Sequence, residues 1–217
     1  MVVFKLSPLV SSSSTPTQPV EDRLLAAGKK LFATQGFENT TTSAIARDAG
    51  TSESQLVKYF GGKEGLLLRI FETGWTKLSF VYTAASVCAT PLESLRVLFE
   101  LLIKMLTEDR ELRDLMLFEG RRIRAKAPDL ILTDGYHRLY DEVTNFLSAL
   151  IADSELEKRM RPRAIASGFV GMLESMLRDQ AISERRNGET DPTSDEIRSM
   201  FQIFVSCLKD AREAPAS

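Results

Sequence analysis

The chain has 217 residues, 43% hydrophobic and 27% charged, with a formal net charge of −2. That is apolar material for one large or two modest domains with a sizeable core. The near-neutral balance excludes a molecule that coats nucleic acid over its whole surface, but not one with a local basic face.

Residues 1–18 contain the run Ser11-Ser12-Ser13-Ser14-Thr15-Pro16, a low-complexity stretch expected to be a disordered N-terminal extension. Its apolar start is too short for the h-region of a signal peptide. No later stretch approaches the ~18 uninterrupted apolar residues of a membrane span, so no membrane partner is expected. Cys88 and Cys207 are the two cysteines, far apart in apolar surroundings. That is neither a disulfide framework nor a zinc pattern. Both are expected as buried thiols, in a cytoplasmic protein.

From about residue 20 the pattern is helical. Leu24, Leu25, Gly28, Leu31 and Phe32 recur at helical spacing, and Gly36 follows as a stop. Thr40-Thr41-Thr42 offers N-caps for a short helix holding Ile45 and Ala46, which ends at Gly50. Ser52 caps a third helix carrying Leu56, Tyr59 and Phe60, and Gly61-Gly62 ends it. A long fourth helix runs from Lys63 to about residue 85, with Leu66, Leu67, Ile70, Phe71, Gly74 and Trp75 on one face. Pro91 opens the fifth. Asp109–Lys126, Asp134 to about Asp153, and Pro162 to about Arg186 follow. Thr193 and Glu196 stand as a capping box ahead of the last helix, which reaches about residue 211. No strand pattern is present. The fold expected is all-α, with about nine helices.

The second and third helices, about Thr41–Ala49 and Ser52–Phe60, are joined by Gly50-Thr51. Two short helices joined by a tight turn containing glycine have helix-turn-helix geometry. In that geometry the second helix points its N-terminal residues into the DNA major groove while the first crosses the backbone. The polar front Thr51-Ser52-Glu53-Ser54-Gln55 then faces base edges, and Leu56 and Phe60 pack inward. A threonine-capped hairpin can also be purely structural, and net charge does not choose between the two. Residues 21–69 carry seven Lys/Arg against six Asp/Glu, so affinity must come from placed contacts and from two copies binding together.

The order and spacing of several stretches resemble the DNA-binding domain of the TetR family of bacterial transcriptional regulators. They are Leu24-Leu25-Ala26-Ala27 with Leu31-Phe32, Gly36-Phe37, Thr40-Thr41-Thr42, Ile45-Ala46 with Ala49-Gly50, Lys58-Tyr59-Phe60, and Lys63-Glu64-Gly65-Leu66-Leu67. The resemblance implies a helix-turn-helix DNA-binding domain at 19–70 and a helical ligand-binding and dimerisation domain at 71–217. It places Thr41 and Thr42 on phosphate, Ser43 on a base, Ser54, Gln55 and Lys58 on the recognition helix, and Tyr59 and Lys63 on phosphate. Gln55 is suited to bidentate contact with adenine. Val57 departs from the family's usual tyrosine and loses a phosphate contact; it can touch a thymine methyl or simply pack. Glu53 can accept from cytosine N4, or favour the helix N-terminus and face solvent.

Beyond residue 75 there is no metal-ligand cluster, P-loop, dinucleotide turn or triad around the single His137. No catalytic residue, metal or cofactor is expected. The resemblance implies a homodimer joined through the last two long helices. It binds a pseudo-palindromic double-stranded DNA operator, with repression as the commoner mode, and a small molecule releases it. Ala164, Gly168, Gly171 and Ser175 form a small-residue stripe, and Phe201, Phe204, Val205 and Leu208 lie on a broad apolar face of the next helix. Both sets are expected at the dimer interface. Phe99, Phe118, His137, Tyr140, Phe169 and Met172 are candidates for lining a pocket for an apolar or amphipathic ligand, with core packing as the alternative. Arg121, Arg122, Arg124 and Lys126 read as a solvated helix end or an anion site. An all-α enzyme or sensor that never binds DNA is the competing reading, and sequence-specific DNA binding separates the two.

Overall fold

The computed structural model describes residues 18–119 and 134–213. Its helices are α1 (Val20–Gln35), α2 (Thr42–Asp48), α3 (Glu53–Phe60), α4 (Lys63–Ser86), α5 (Pro91–Glu108), α6 (Arg110–Asp114), α7 (Asp134–Ile151), α8 (Glu155–Arg159), α9 (Pro162–Asn187) and α10 (Ser194–Glu213). A π-helical stretch, Leu115–Glu119, continues α6. The described residues contain no strand, so the architecture is all-α as read from the sequence. The predicted Asp109–Lys126 helix is described only to Glu119, and the basic cluster Arg121–Lys126 lies outside the described residues, as do residues 1–17. The short α8 had no counterpart in the periodicity, because five residues are too few to display a helical repeat.

Local chemistry sets most boundaries. Thr41 and Ser52 accept from the N–H groups of Ala44 and Gln55 and cap α2 and α3. Gly61 ends α3 in the left-handed region at φ 73°, where a side chain would be strained. Thr90 caps α5 ahead of Pro91, and Asp109 caps α6. The predicted capping box closes: Glu196 accepts from the Thr193 N–H at 2.7 Å, and Thr193 Oγ1 accepts from the Glu196 N–H at 3.3 Å.

Two apolar cores result. The smaller one binds α1, α2 and α3 to the first half of α4 through residues such as Leu24, Phe32, Ile45, Leu56 and Leu66. The larger fills the space between α5, α7, α9 and α10. The expected boundary at residue 70 falls inside α4, and the smaller core also takes in Phe71, Leu112 and Leu115 from beyond it. Trp75 and Met116 pack against both cores. The expectation of buried thiols is corrected here: Cys88 is half-buried and Cys207 exposed, the latter on the outer side of α10. No helix among the described residues is long and apolar enough to cross a membrane.

Candidate nucleic-acid interface and effector cavity

Leu56 and Phe60 are buried on α3. At 100° per residue, Ser54 and Lys58 therefore turn outward, with Gln55 and Val57 at the two edges of the outer face. Ser54 and Lys58 are exposed, Gln55 is half-buried, and Val57 and Tyr59 are 54% and 42% exposed. The packing alternative for Val57 is thereby removed. On α2, Thr41 and Ser43 are exposed and Thr42 is half-buried. Seven of the eight predicted DNA-facing residues thus cluster on the outer side of the α2–α3 unit.

The unit is held rigidly. Thr42 donates its hydroxyl to Glu53 Oε2 at 2.6 Å and ties the front of α2 to the front of α3. This disfavours the cytosine reading of Glu53, since its carboxylate is engaged within the protein, while the other reading holds: Glu53 is exposed in the first turn of α3. Ser52 and Ser54 share a hydroxyl hydrogen bond at 2.8 Å. Lys30 pairs with Asp48 at 3.0 Å and joins α2 to α1. Lys58 pairs with no carboxylate among the described residues; its Nζ stands 5.9 Å from the Tyr59 ring centroid.

Lys63, the eighth residue, does something other than expected. Its ammonium donates to the carbonyl oxygens of Phe37 at 3.1 Å and Thr40 at 3.3 Å, and lies 4.4 Å from the Phe37 ring centroid. It braces the α1–α2 loop. The backbone turns its carbonyls toward α4 here, an arrangement that only the folded chain displays.

A cavity of about 80 Å³ lies in the larger core, where α4, α5, α7 and α9 meet the π-helical stretch. Its walls are mostly apolar, with Phe71, Trp75, Phe99, Met116, Tyr136 and Phe169 among them, and Arg113 and Glu174 are the charged residues in the lining. Of the six predicted lining residues, Phe99 and Phe169 are there. The other four are not. His137 is exposed, on the side of α7 away from buried Leu139 and Val143. Tyr140 lies under the Arg163 guanidinium, 5.3 Å from its centroid, and Phe118 under that of Arg185 at 5.4 Å. Met172 packs on the core outside the cavity. Trp75 and Tyr136 were missed because they come from separate helices, and no linear spacing brings them together.

One wall carries charge. Arg113 is 2% exposed. It donates to Glu184 at 2.8 Å, to Asp114 at 3.0 Å and to Gln180 at 3.4 Å. Burial disfavours its charge, but the Glu184 and Asp114 carboxylates outweigh that and raise its affinity for the proton. From this cluster ties run to α1. Arg185 donates to Asp114 at 2.8 Å and to the Ala33 carbonyl at 3.0 Å. Lys29 pairs with Asp109 at 2.8 Å. The segment lining the cavity is therefore bolted to the helix that supports α2 and α3.

On α9, Ala164, Gly168, Gly171 and Ser175 are all exposed, and a Cβ at Gly168 or Gly171 would meet nothing within 4 Å. The expected α10 face needs correction. Phe201, Val205 and Leu208 are buried in the chain's own core at 0%, 4% and 6% exposure. The outward residues are Met200, Ile203 and Cys207, with Phe204 half-buried. The apolar stripe is wide enough to serve two sides, and periodicity does not say which side meets the core.

Residues 24–70 match the family model of bacterial regulatory proteins, tetR family. The HTH-type transcriptional regulator HbdR of Aromatoleum sp. (strain CIB) is 39% identical over 61 residues, a stretch covering 27% of each chain. Among solved structures, the fatty acid degradation regulator FadR from Bacillus halodurans superposes with a TM-score of 0.73 at 16% identity, over 91% of this chain and 98% of that one. A TetR-like transcriptional regulator from Rhodococcus sp. RHA1 does so with a TM-score of 0.64 at 19% identity, over 86% of this chain and 96% of that one. A head matched by the tetR model thus stands on a helical body with the fold of these solved regulators.

Proposed function

We propose that the chain is a one-component repressor. Two copies pair through α9 and α10 and set two α3 helices into successive major grooves of a pseudo-palindromic operator, about 34–36 Å apart. The observation that carries this reading is the exposed front of α3, Ser54 to Lys58, opposite buried Leu56 and Phe60 and held by two hydroxyl caps. Thr41, Ser43 and Tyr59 flank it as phosphate or base contacts. The small-residue stripe on α9 has room for a partner helix to approach closely.

The cavity is the effector site. Its apolar walls suit an aliphatic chain or fused rings, and FadR's name links that structural neighbour to fatty acid degradation. An effector larger than the present cavity displaces Met116, Leu117 or Arg113. That displacement reaches α1 through the Lys29–Asp109 and Arg185–Ala33 ties, alongside the continuous α4. Such an effector works only if it binds the two conformations unequally.

The test is selection of DNA sites from a random pool, followed by fluorescence anisotropy across a salt series. A palindromic consensus bound by two chains is expected, with affinity falling as salt rises. Release is then tried with a chain-length series of fatty acids and their thioesters. Failure to enrich any sequence would refute the DNA-binding role. A bound operator unmoved by every acyl compound would refute the proposed effector class.

A further inference from the structure

Val57 stands out on α3. It is an isopropyl group 54% exposed on the side that carries Ser54 and Lys58. The core positions of this helix are Leu56 and Phe60, and Val57 is not among the residues that form the smaller core or pack on it. Neighbouring polar groups are already engaged: Glu53 with the Thr42 hydroxyl, and Ser54 with the Ser52 hydroxyl. Val57 has no donor for a phosphate. The one apolar feature on base-pair edges in the major groove is the C5-methyl of thymine.

We propose that Val57 is a specificity residue that packs on a thymine methyl in each operator half-site, so that each half-site carries thymine where Val57 meets the groove. This rests on the DNA-reading role given to α3 above. Burying one methyl against an apolar side chain accounts for about a fourfold change per half-site, or about fifteenfold for two. Lys58, beside Val57 on the outer side, and Gln55, at the opposite edge of the exposed face, supply polar contacts to neighbouring bases or phosphates, so Val57 adds a methyl requirement to a polar reading.

The experiment pairs a DNA change with a protein change. In the selected operator each thymine is replaced in turn by uracil, in both half-sites, which removes only the methyl. The full-length protein and its Val57→Ala variant are titrated against each duplex by anisotropy. One position is expected to weaken the parent protein about fifteenfold and to leave Val57→Ala, already weaker on the thymine duplex, indifferent. Losses of equal size in both proteins, or no loss at any thymine, would overturn the assignment to Val57 while leaving the regulator reading intact. If no sequence is enriched at all, the DNA-reading role fails, and this inference fails with it. The uracil arm involves no protein variant, so a folding defect cannot mimic it. Val57→Ala is also an exposed change whose thermal midpoint should match the parent's.

Discussion

An ideal Cβ on Gly65 would fall inside the envelope of the Phe60 carbonyl oxygen, a backbone atom that cannot swing aside. The turn between α3 and α4 is therefore closed only by glycine. Gly65→Ala should destabilise the protein by about 1–3 kcal/mol, as overpacking does, read as a lower urea midpoint. Lys63 lies two residues earlier and is a brace on two loop carbonyls. Lys63→Ala should lower the urea midpoint and weaken operator binding, since α2 loses its support. The slope of log affinity against log salt should stay unchanged. A slope shallower by about one unit would return Lys63 to a phosphate contact.

At the scale of elements, α6 is the joint. Asp109 caps it and also holds Lys29 of α1. Burial alone would raise the Asp109 carboxyl, but the hydrogen bond from Lys29, the Leu112 N–H and the charges of Lys29 and Lys77 overcome that and hold it below the usual range. A depressed carboxyl contributes stability that is complete above its unfolded pKa of ~4 and is lost as pH falls from there through the folded value. Thermal midpoints of the parent and of Asp109→Asn should differ at neutral pH and converge in acid below about pH 4. Parallel curves would show that the tie contributes nothing to stability. The outer face of α9 offers the converse case. A side chain at Gly168 meets nothing within 4 Å, so Gly168→Arg should leave the helical content of the chain intact. It should also convert a dimer to a monomer in analytical ultracentrifugation. A variant that still sediments as a dimer would move the interface away from α9.

For the whole molecule, the question is how a small cavity in the larger core is linked to α3 in the smaller one. Trp75 and Met116 touch both cores, and Gly74 lets α4 lie so close to α6 that a Cβ would stand 2.9 Å from Leu112. The two cores are thus coupled mechanically as well as by ion pairs. Asp109→Asn should keep operator affinity within a few-fold and blunt effector-induced release, measured by anisotropy with a releasing acyl compound. Full release by the variant would leave α4 as the sole lever.

What the sequence determined by itself was local. Caps at Thr41, Ser52 and Thr193, the left-handed stop at Gly61 and the period of the apolar residues are all set by neighbours within a turn. The helices and the α2–α3 hairpin, with its outward Ser54 and Lys58, were therefore legible. What only the tertiary structure decided depends on groups distant in the chain. These are the engagement of Glu53 with Thr42, the diversion of Lys63 to the Phe37–Thr40 loop, the cavity shared by Trp75, Phe99 and Tyr136, and the choice of Ile203 rather than Phe201 for the outer face of α10. An apolar stripe states that a face is buried. The shape of the surrounding helices settles what buries it.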